Sequence, residues 1–331
     1  MKFKCVFLML ALLTMKAYSM NNKYFLELVV NSEKINYNVM FNDVSVFNEV
    51  SQSPVTNTVP LNQWLIKGKN ELRVLVNFKT DVKNESDIIE KSKAVDLIAS
   101  LMLRVVNGGG EKKYKLTEFN IKPDANRKDY IAGMSLENLT LDSEDEFKLK
   151  DQGDISVGPW IAKKPKKTWM AFSQNVDLNV FPIPEWSYLS ADFIDDKAMS
   201  DSEFYALSDE LYDEYKKIWN LLKDKKVKEL LSLIQLRSAE YDEAFFLDEG
   251  SKIKEFERSL TSAFENEDLY LSDIVDTENA NLRVMANGRI AKLKIAGSSE
   301  PLIYYSHKRG SFTRFYDFYF MRKNGKWIII R

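Results

Sequence analysis

The chain has almost none of the residues that carry covalent or metal chemistry. It contains one cysteine, Cys5, and one histidine, His307, among 331 residues. Because a disulfide needs two cysteines and a zinc site needs several cysteine or histidine ligands, the sequence predicts neither. No Gly-x-Ser-x-Gly sequence accompanies His307, which argues against a Ser-His-Asp triad. The sequence therefore predicts no metal, no cofactor and no catalytic residue, and it favours a non-enzymatic protein.

Two further features limit the class of protein. Glycine and proline are scarce, at 12 and 8, while 45% of the residues are hydrophobic, so the chain can bury real cores and is neither fibrous nor disordered. The net charge of −2 gives no electrostatic reason to bind nucleic acid. The length is sufficient for two domains.

The first nineteen residues have the three-part pattern of a secretory signal peptide. Residues 1–4 are basic, residues 5–13 are apolar, and residues 17–19 place small side chains where signal peptidase cleaves. The apolar run is too short to span a bilayer as a helix. Met20 stands where a lipoprotein would need a cysteine. We therefore expect cleavage after Ser19 and an exported protein, periplasmic or secreted, that is not an integral membrane protein.

The front half, residues 20–181, predicts an antiparallel β-sandwich domain. Apolar and polar residues alternate in many short segments that are separated by turn residues. The segment LNQWLIKGKNELRVLV is similar to a recurring piece of galactose-binding-type jelly-roll sandwiches, and the likeness covers residues 59–76. The resemblance implies a fold and does not bring sugar binding with it. Trp64, Trp160 and Trp169 are candidate binding residues because indole rings stack on sugars, although such rings more often pack in cores.

A domain boundary is expected at the two prolines of residues 181–186, which can continue neither a helix nor a central strand. We place a linker over residues 182–200. Ser200 and Glu203 then form the capping-box pattern that begins a helix.

The back half, residues 201–331, predicts helices followed by an antiparallel sheet. Apolar residues recur at helical spacing in three segments, of which the second covers residues 225–246. The period changes to two after Tyr270, and Asn-Gly pairs at residues 287–288 and 324–325 predict hairpin turns. Strands are expected over residues 281–286, 289–295, 301–307, 311–321 and 326–331.

This α+β arrangement resembles the NTF2-like (nuclear transport factor 2-like) superfamily, in which helices pack on a curved antiparallel sheet to form a cone. The match covers about residues 205–331, and the ending FYDFYFMRKNGKWIII is similar to the last hairpin of that family. The resemblance implies a cavity inside the cone. The superfamily includes isomerases, dehydratases and binding modules, so it does not select a function.

Six residues of the last sheet are candidates for lining such a cavity: Tyr304, Tyr305, Arg314, Tyr316, Asp317 and Tyr319. A carboxylate beside phenols in an apolar pocket can perform acid–base chemistry. Because side chains alternate along a strand, Arg314 and Tyr316 should share one face, while Asp317 should share the other with Tyr319. Ordinary sheet packing is the alternative interpretation.

The preferred hypothesis is an exported, two-domain, non-enzymatic binding protein whose partner is another protein. Its layout is similar to small exported accessory proteins of bacteria, including immunity proteins. One alternative is a carbohydrate-binding module on the sandwich. The other is a small-molecule binder or enzyme in the cavity of the second domain.

Overall fold

The protein is a mixed α+β chain consisting mostly of strands. A computed structural model describes residues 23–49, 53–77, 96–107, 110–121, 155–166, 169–179, 184–298, 300–310 and 313–331. The predicted signal peptide lies outside the described residues. Those residues form four antiparallel sheets and four α-helices. The chain divides into two compact units, Met1–Ile183 and Pro184–Arg331.

The first unit contains two of the antiparallel sheets. Their strands are β1 (Lys23–Glu33), β2 (Asn36–Phe41), β3 (Val44–Glu49), β4 (Val55–Pro60), β5 (Gly68–Asn77), β6 (Asp96–Asn107), β7 (Gly110–Ile121), β8 (Ile155–Val157), β9 (Ile161–Lys166) and β10 (Trp169–Leu178). One sheet has the strand order β4-β1-β6-β7, and the other has the order β3-β2-β5-β10-β8, with β9 also paired to β10.

These two sheets form a sandwich-like core. In β1 every second side chain is buried, including those of Leu26 and Leu28, as the period of a strand requires. The sheets meet where Phe119 of β7 packs against Phe172 of β10, with ring centroids 4.9 Å apart. The alternation seen in the sequence therefore corresponds to one buried face on each sheet.

The second unit contains the helices and the other two sheets. Its helices are α1 (Asp201–Lys223), α2 (Val227–Leu233), α3 (Gln235–Ala244) and α4 (Ser251–Glu265). Its strands are β11 (Leu269–Leu271), β12 (Ala280–Met285), β13 (Ile290–Ile295), β14 (Ile303–His307), β15 (Thr313–Tyr316), β16 (Phe320–Lys323) and β17 (Lys326–Ile329). One sheet has the order β11-β14-β15 and the other the order β12-β13-β16-β17.

Helix α1 begins where the sequence predicts. The Ser200 hydroxyl accepts a hydrogen bond from the Glu203 backbone N–H, and the Glu203 carboxylate accepts one from the Ser200 N–H, which is a complete capping box. One stripe of the helix is buried in the core of the unit and consists of Leu207, Leu211, Tyr215, Ile218 and Leu222. Burial of this stripe, more than helix propensity, stabilises α1.

Residues 184–200, which the sequence analysis assigns to a linker, belong to the second unit. Trp186 and Tyr188 of this segment are buried against the Arg331 guanidinium, whose carbon lies 4.9 Å and 5.5 Å from the two ring centroids. Arg331 also pairs with the Glu240 carboxylate. Of the two prolines expected to mark the boundary, Pro184 lies in the described residues, and the aromatic residues that follow it are buried in the second unit instead of forming an exposed linker.

Gly288 is the point where this segment meets the β12–β13 hairpin. The Ile194 N–H donates to the Gly288 carbonyl at 2.8 Å, and a Cβ atom on Gly288 would lie 2.6 Å from the Ile194 carbonyl oxygen. Its φ of +82° is also in the left-handed region. We expect Gly288→Ala to destabilise the protein by about 3 kcal/mol, through backbone strain and a steric clash together. Urea unfolding of the full chain measures the loss.

Gly297→Ala is the matched control for that substitution. Gly297 has a similar φ of +73°, but nothing lies within 4 Å of the position its Cβ would occupy. Backbone strain alone should therefore cost about 1 kcal/mol. Equal losses from the two substitutions would contradict the close approach at Gly288.

Two elements of the second unit differ from the sequence prediction. The single helix expected over residues 225–246 is divided into α2 and α3 at Ile234, which is buried at the junction. The single strand expected over residues 311–321 is divided into β15 and β16, which belong to different sheets. Periodicity alone does not show either break, because both depend on contacts with distant segments.

Candidate functional site

Of the three candidate tryptophans in the first unit, Trp64 is part of the core. It is 5% exposed and lies in a short 3-10 helix, Asn62–Trp64, whose Asn62 amide bonds the backbone of β1. The Asn42 side chain donates to the Trp64 carbonyl at 2.7 Å, which holds the turn in place. The Trp64 ring is therefore not available to stack on a sugar.

The other two tryptophans differ from Trp64 in exposure. Trp160 packs on Phe119, with ring centroids 5.2 Å apart, and its indole N–H donates to the Glu118 carbonyl at 3.2 Å. Trp169 is 41% exposed at the start of β10. Of the three, Trp169 presents the largest open surface, and the structure does not bring them together as one stacking platform.

The tyrosines expected to line a cavity in the second unit take different places. Tyr316 is buried, with its ring 5.8 Å from that of Phe256 and 5.9 Å from that of Tyr305. Tyr304 lies on the other side of the same small sheet, beside the exposed Phe315 at 6.0 Å. Packed aromatic rings thus surround Tyr316, where a cavity would have to open.

Arg314 lies on the helix side of β15, as does Tyr316. Its guanidinium donates to the Ser259 carbonyl of α4 at 2.8 Å, so it joins the sheet to a helix. The positive charge of Arg314 lowers the pKa of Tyr305, but burial has the larger effect and raises that pKa above its ordinary value. The Arg314 guanidinium therefore stabilises the packing of the helix on the sheet.

Asp317 forms a polar cluster with a residue that the sequence analysis missed. Lys292 of β13 donates to the Asp317 carboxylate at 2.5 Å, and its ammonium lies 3.8 Å from the ring centroid of Tyr319. The Lys292 side chain is 4% exposed, and burial lowers its pKa to about 8 in spite of the neighbouring carboxylate. Burial and Asp317 together raise the pKa of Tyr319 well above its ordinary value.

Tyr215 of α1 reaches the backbone between the two sheets beside this cluster. Its hydroxyl donates to the Phe318 carbonyl at 2.7 Å and accepts from the Leu293 N–H at 3.2 Å. The phenol therefore satisfies backbone groups where β13 and the β15–β16 connection separate. Burial raises the pKa of Tyr215 well above its ordinary value, which keeps this bridge protonated.

The strongest candidate site is a groove of about 680 Å³ in the second unit. It lies between α1 and the β16–β17 hairpin, with the end of α2 at one side. Its apolar surface comes from Ile218, Leu233, Phe320, Trp327, Ile328 and Ile329. Its charged surface comes from Glu210, Asp213, Glu214, Lys217, Arg322 and Lys326.

The two walls of this groove carry opposite charge. The α1 wall has three carboxylates at helical spacing and one cation, Lys217, which pairs with Glu214 at 3.5 Å, and the hairpin wall has two cations. Arg322 pairs with Glu210 at 2.9 Å across the groove, whereas in the described part of the chain no ion pair engages Asp213 or Lys326. The indole nitrogen of Trp327 is buried and has no hydrogen-bond partner there either. The groove thus combines an apolar floor with two charged groups that form no ion pair and one indole N–H without an acceptor, all within the described residues.

Comparison of the chain with known protein families, with curated proteins and with solved structures finds no match. Within the described residues there is no group of three or more His, Cys, Asp or Glu side chains arranged to hold a metal ion. Among the described helices, none is long and apolar enough to cross a membrane.

The sequence contains a partial signal for the groove. Glu210, Asp213 and Glu214 follow the i, i+3, i+4 spacing of one helix face, and Trp327 lies beside an Asn-Gly turn. The first pattern is typical of any solvated helix face, and the second is typical of any hairpin. Only the fold shows that the two surfaces lie opposite one another, more than a hundred residues apart in sequence.

Proposed function

We propose that this chain is an exported, non-enzymatic binding protein whose second unit holds a segment of a partner protein in the groove between α1 and the β16–β17 hairpin. The groove is the observation that carries the proposal. Its volume lies within the range of about 300–1,000 Å³ that is usual for ligand sites. Trp and Arg side chains, which dominate binding energy at protein interfaces, lie in it together as Trp327 and Arg322.

The proposed protein has a leader and two domains. Cleavage after Ser19 releases the exported chain from its leader, the first unit is a β-sandwich, and the second unit is an NTF2-like domain. In that arrangement the interior of the cone is packed by the rings around Tyr316, and the groove lies at the side of α1. This packing favours a binding role over chemistry inside the cone.

Photocrosslinking in the source cells tests the proposal. Lys326, at the exposed end of the hairpin, is replaced by p-benzoylphenylalanine, and Lys254 on the exposed face of α4 receives the same group as a control. We expect a protein adduct from position 326 and none from position 254. The additional change Asp213→Arg should lower the yield about tenfold, because it reverses one charge of the groove.

Two results would argue against this function. Equal labelling from positions 326 and 254 would show only nonspecific proximity. An adduct at position 326 that is insensitive to Asp213→Arg would place the partner outside the groove. Protein sequencing of the adduct also tests the leader, because cleavage after Ser19 requires Met20 as the first residue.

A further inference from the structure

Strand β17 is the last strand of its sheet. The order β12-β13-β16-β17 leaves one side of β17 without a neighbouring strand in the described parts of the chain. An unpaired edge presents backbone N–H and C=O groups that can pair with another chain. The groove lies along this strand, because its lining includes Lys326, Trp327, Ile328 and Ile329, which are all of β17.

The register of the hairpin shows which backbone groups face outward. Lys323 pairs with Lys326 around the two-residue Asn-Gly turn, in which both central residues have positive φ. The two residues that close such a turn form two backbone hydrogen bonds with each other. Along the two strands, hydrogen-bonded pairs then alternate with pairs that form no hydrogen bonds to each other. Lys326 and Ile328 therefore bond to β16, whereas Trp327 and Ile329 direct their backbone groups to the open edge.

The next pair of the ladder agrees with this assignment. The alternation requires a bonded pair one step beyond Ile329, and the Ile330 N–H does donate to the Tyr319 carbonyl at 2.9 Å. The open edge consequently offers the N–H and C=O of Trp327 and of Ile329. These groups have the spacing of two residues that an added antiparallel or parallel strand requires.

We propose that the occupant of the groove is an extended segment of the partner, which adds to the sheet as a fifth strand beside β17. This inference rests on the proposed function and deepens it by naming the binding mode. Main-chain hydrogen bonds to Trp327 and Ile329 supply affinity without regard to sequence. A strand that matches the four residues of β17 is about 13 Å long.

The charges of the groove specify the occupant further. Asp213 is exposed on the α1 wall with no ion pair in the described residues, and it favours a lysine or arginine of the added strand. The apolar surface of Ile218 and Leu233 favours aliphatic side chains at the alternate positions that face it. The indole N–H of Trp327 is buried without a hydrogen-bond partner in the described residues, so a small shift of the ring towards an acceptor of the added segment would satisfy it. The occupant is therefore an extended, alternating segment with a basic residue.

Selection from a random twelve-residue peptide library displayed on phage tests this occupant. The intact chain is immobilised, and we expect enriched peptides in which apolar residues alternate and a lysine or arginine recurs. Asp213→Lys should reduce retention of those peptides about tenfold. Glu257→Lys makes the same charge change on the exposed face of α4 and should leave retention unchanged. Enrichment of helical i, i+3, i+4 patterns, or equal effects of the two substitutions, would overturn the proposal.

Amide hydrogen exchange by NMR, with the best selected peptide at saturation, separates this binding mode from groove binding in general. We expect exchange at Trp327 and Ile329 to slow at least about tenfold, while Lys326 and Ile328, already bonded to β16, change little. Unchanged exchange at Trp327 and Ile329 would overturn strand addition even where photocrosslinking supports the groove. Slow exchange at these two amides in the free chain, with dimers in sedimentation, would make a second copy the occupant and would also overturn the proposal.

Discussion

Glu240→Ala should destabilise the second unit by about 3–5 kcal/mol, because it leaves the guanidinium of Arg331 buried without its counter-ion. The Arg331 side chain is 1% exposed and lies over the rings of Trp186, Tyr188 and Tyr241. An arginine cannot lose its proton to escape this environment. The same substitution removes the acceptor of the Ser187 N–H. Urea unfolding of the full chain, followed by tryptophan fluorescence, measures the effect.

An exposed ion pair of the same unit provides the control. Glu210 pairs with Arg322 at 2.9 Å, but both side chains contact solvent, so Glu210→Ala should cost less than about 1 kcal/mol. The double change Glu240→Met with Arg331→Met should recover much of the loss, because it removes both buried charges. If Glu240→Ala costs no more than Glu210→Ala, the buried pair contributes little to the stability of the unit.

Local features of this fold could be predicted because they depend on residues that are close in sequence. The capping box of Ser200 and Glu203 needs a spacing of three residues, and the prediction is confirmed. The two-residue turn at residues 324–325 needs only an Asn-Gly pair between strands, and it is confirmed as well. The mixed α+β class follows from the change of hydrophobic period after Tyr270, and the described strands bear it out.

The helix break at Ile234 could not be predicted from the same patterns. The apolar spacing continues through it, so the sequence indicates one helix. Helix α3 is held by distant partners: the Glu240 carboxylate binds Arg331, and the Asp242 carboxylate accepts from the Gly250 and Lys252 N–H groups at the start of α4. These partners are recognisable only once the fold brings them together.

For the candidate site residues, too, the contacts with distant residues could not be predicted from the sequence. Alternation along the last strands placed Arg314 and Tyr316 on one face, and in the structure both lie toward the helices. However, the partner of Asp317 is Lys292, which is 25 residues away on a strand of the other sheet. A lysine in an alternating segment predicts an exposed position, because burial of an ammonium is costly. No pattern around Lys292 indicates that it is buried, because its contact with the Tyr319 ring forms only in the folded protein.

Lys292 should make the stability of the second unit increase with pH between about pH 8 and pH 10. Its pKa is about 8 in the folded protein, because burial of the ammonium outweighs the attraction of Asp317, and it has the ordinary value of 10.5 in the unfolded chain. In this window the unfolded chain binds more protons than the folded one, so the free energy of unfolding rises with pH. The complete change is worth about 3 kcal/mol. Urea unfolding at a series of pH values measures it.

Above about pH 10, buried tyrosines should make the free energy of unfolding fall as the pH rises. Burial raises the pKa of Tyr215 and of Tyr319, so above about pH 10 the unfolded chain loses phenolic protons that the folded chain retains, and stability falls. The wild-type curve should therefore have a maximum between the two effects. Lys292→Met should make the rise smaller, because only Lys294, whose pKa burial also lowers, then contributes to it, and the fall should remain, because both tyrosines remain. A wild-type curve that is flat from pH 7.5 to pH 9.5, or a Lys292→Met curve that rises as steeply as the wild-type curve there, would show that Lys292 does not titrate as a buried amine.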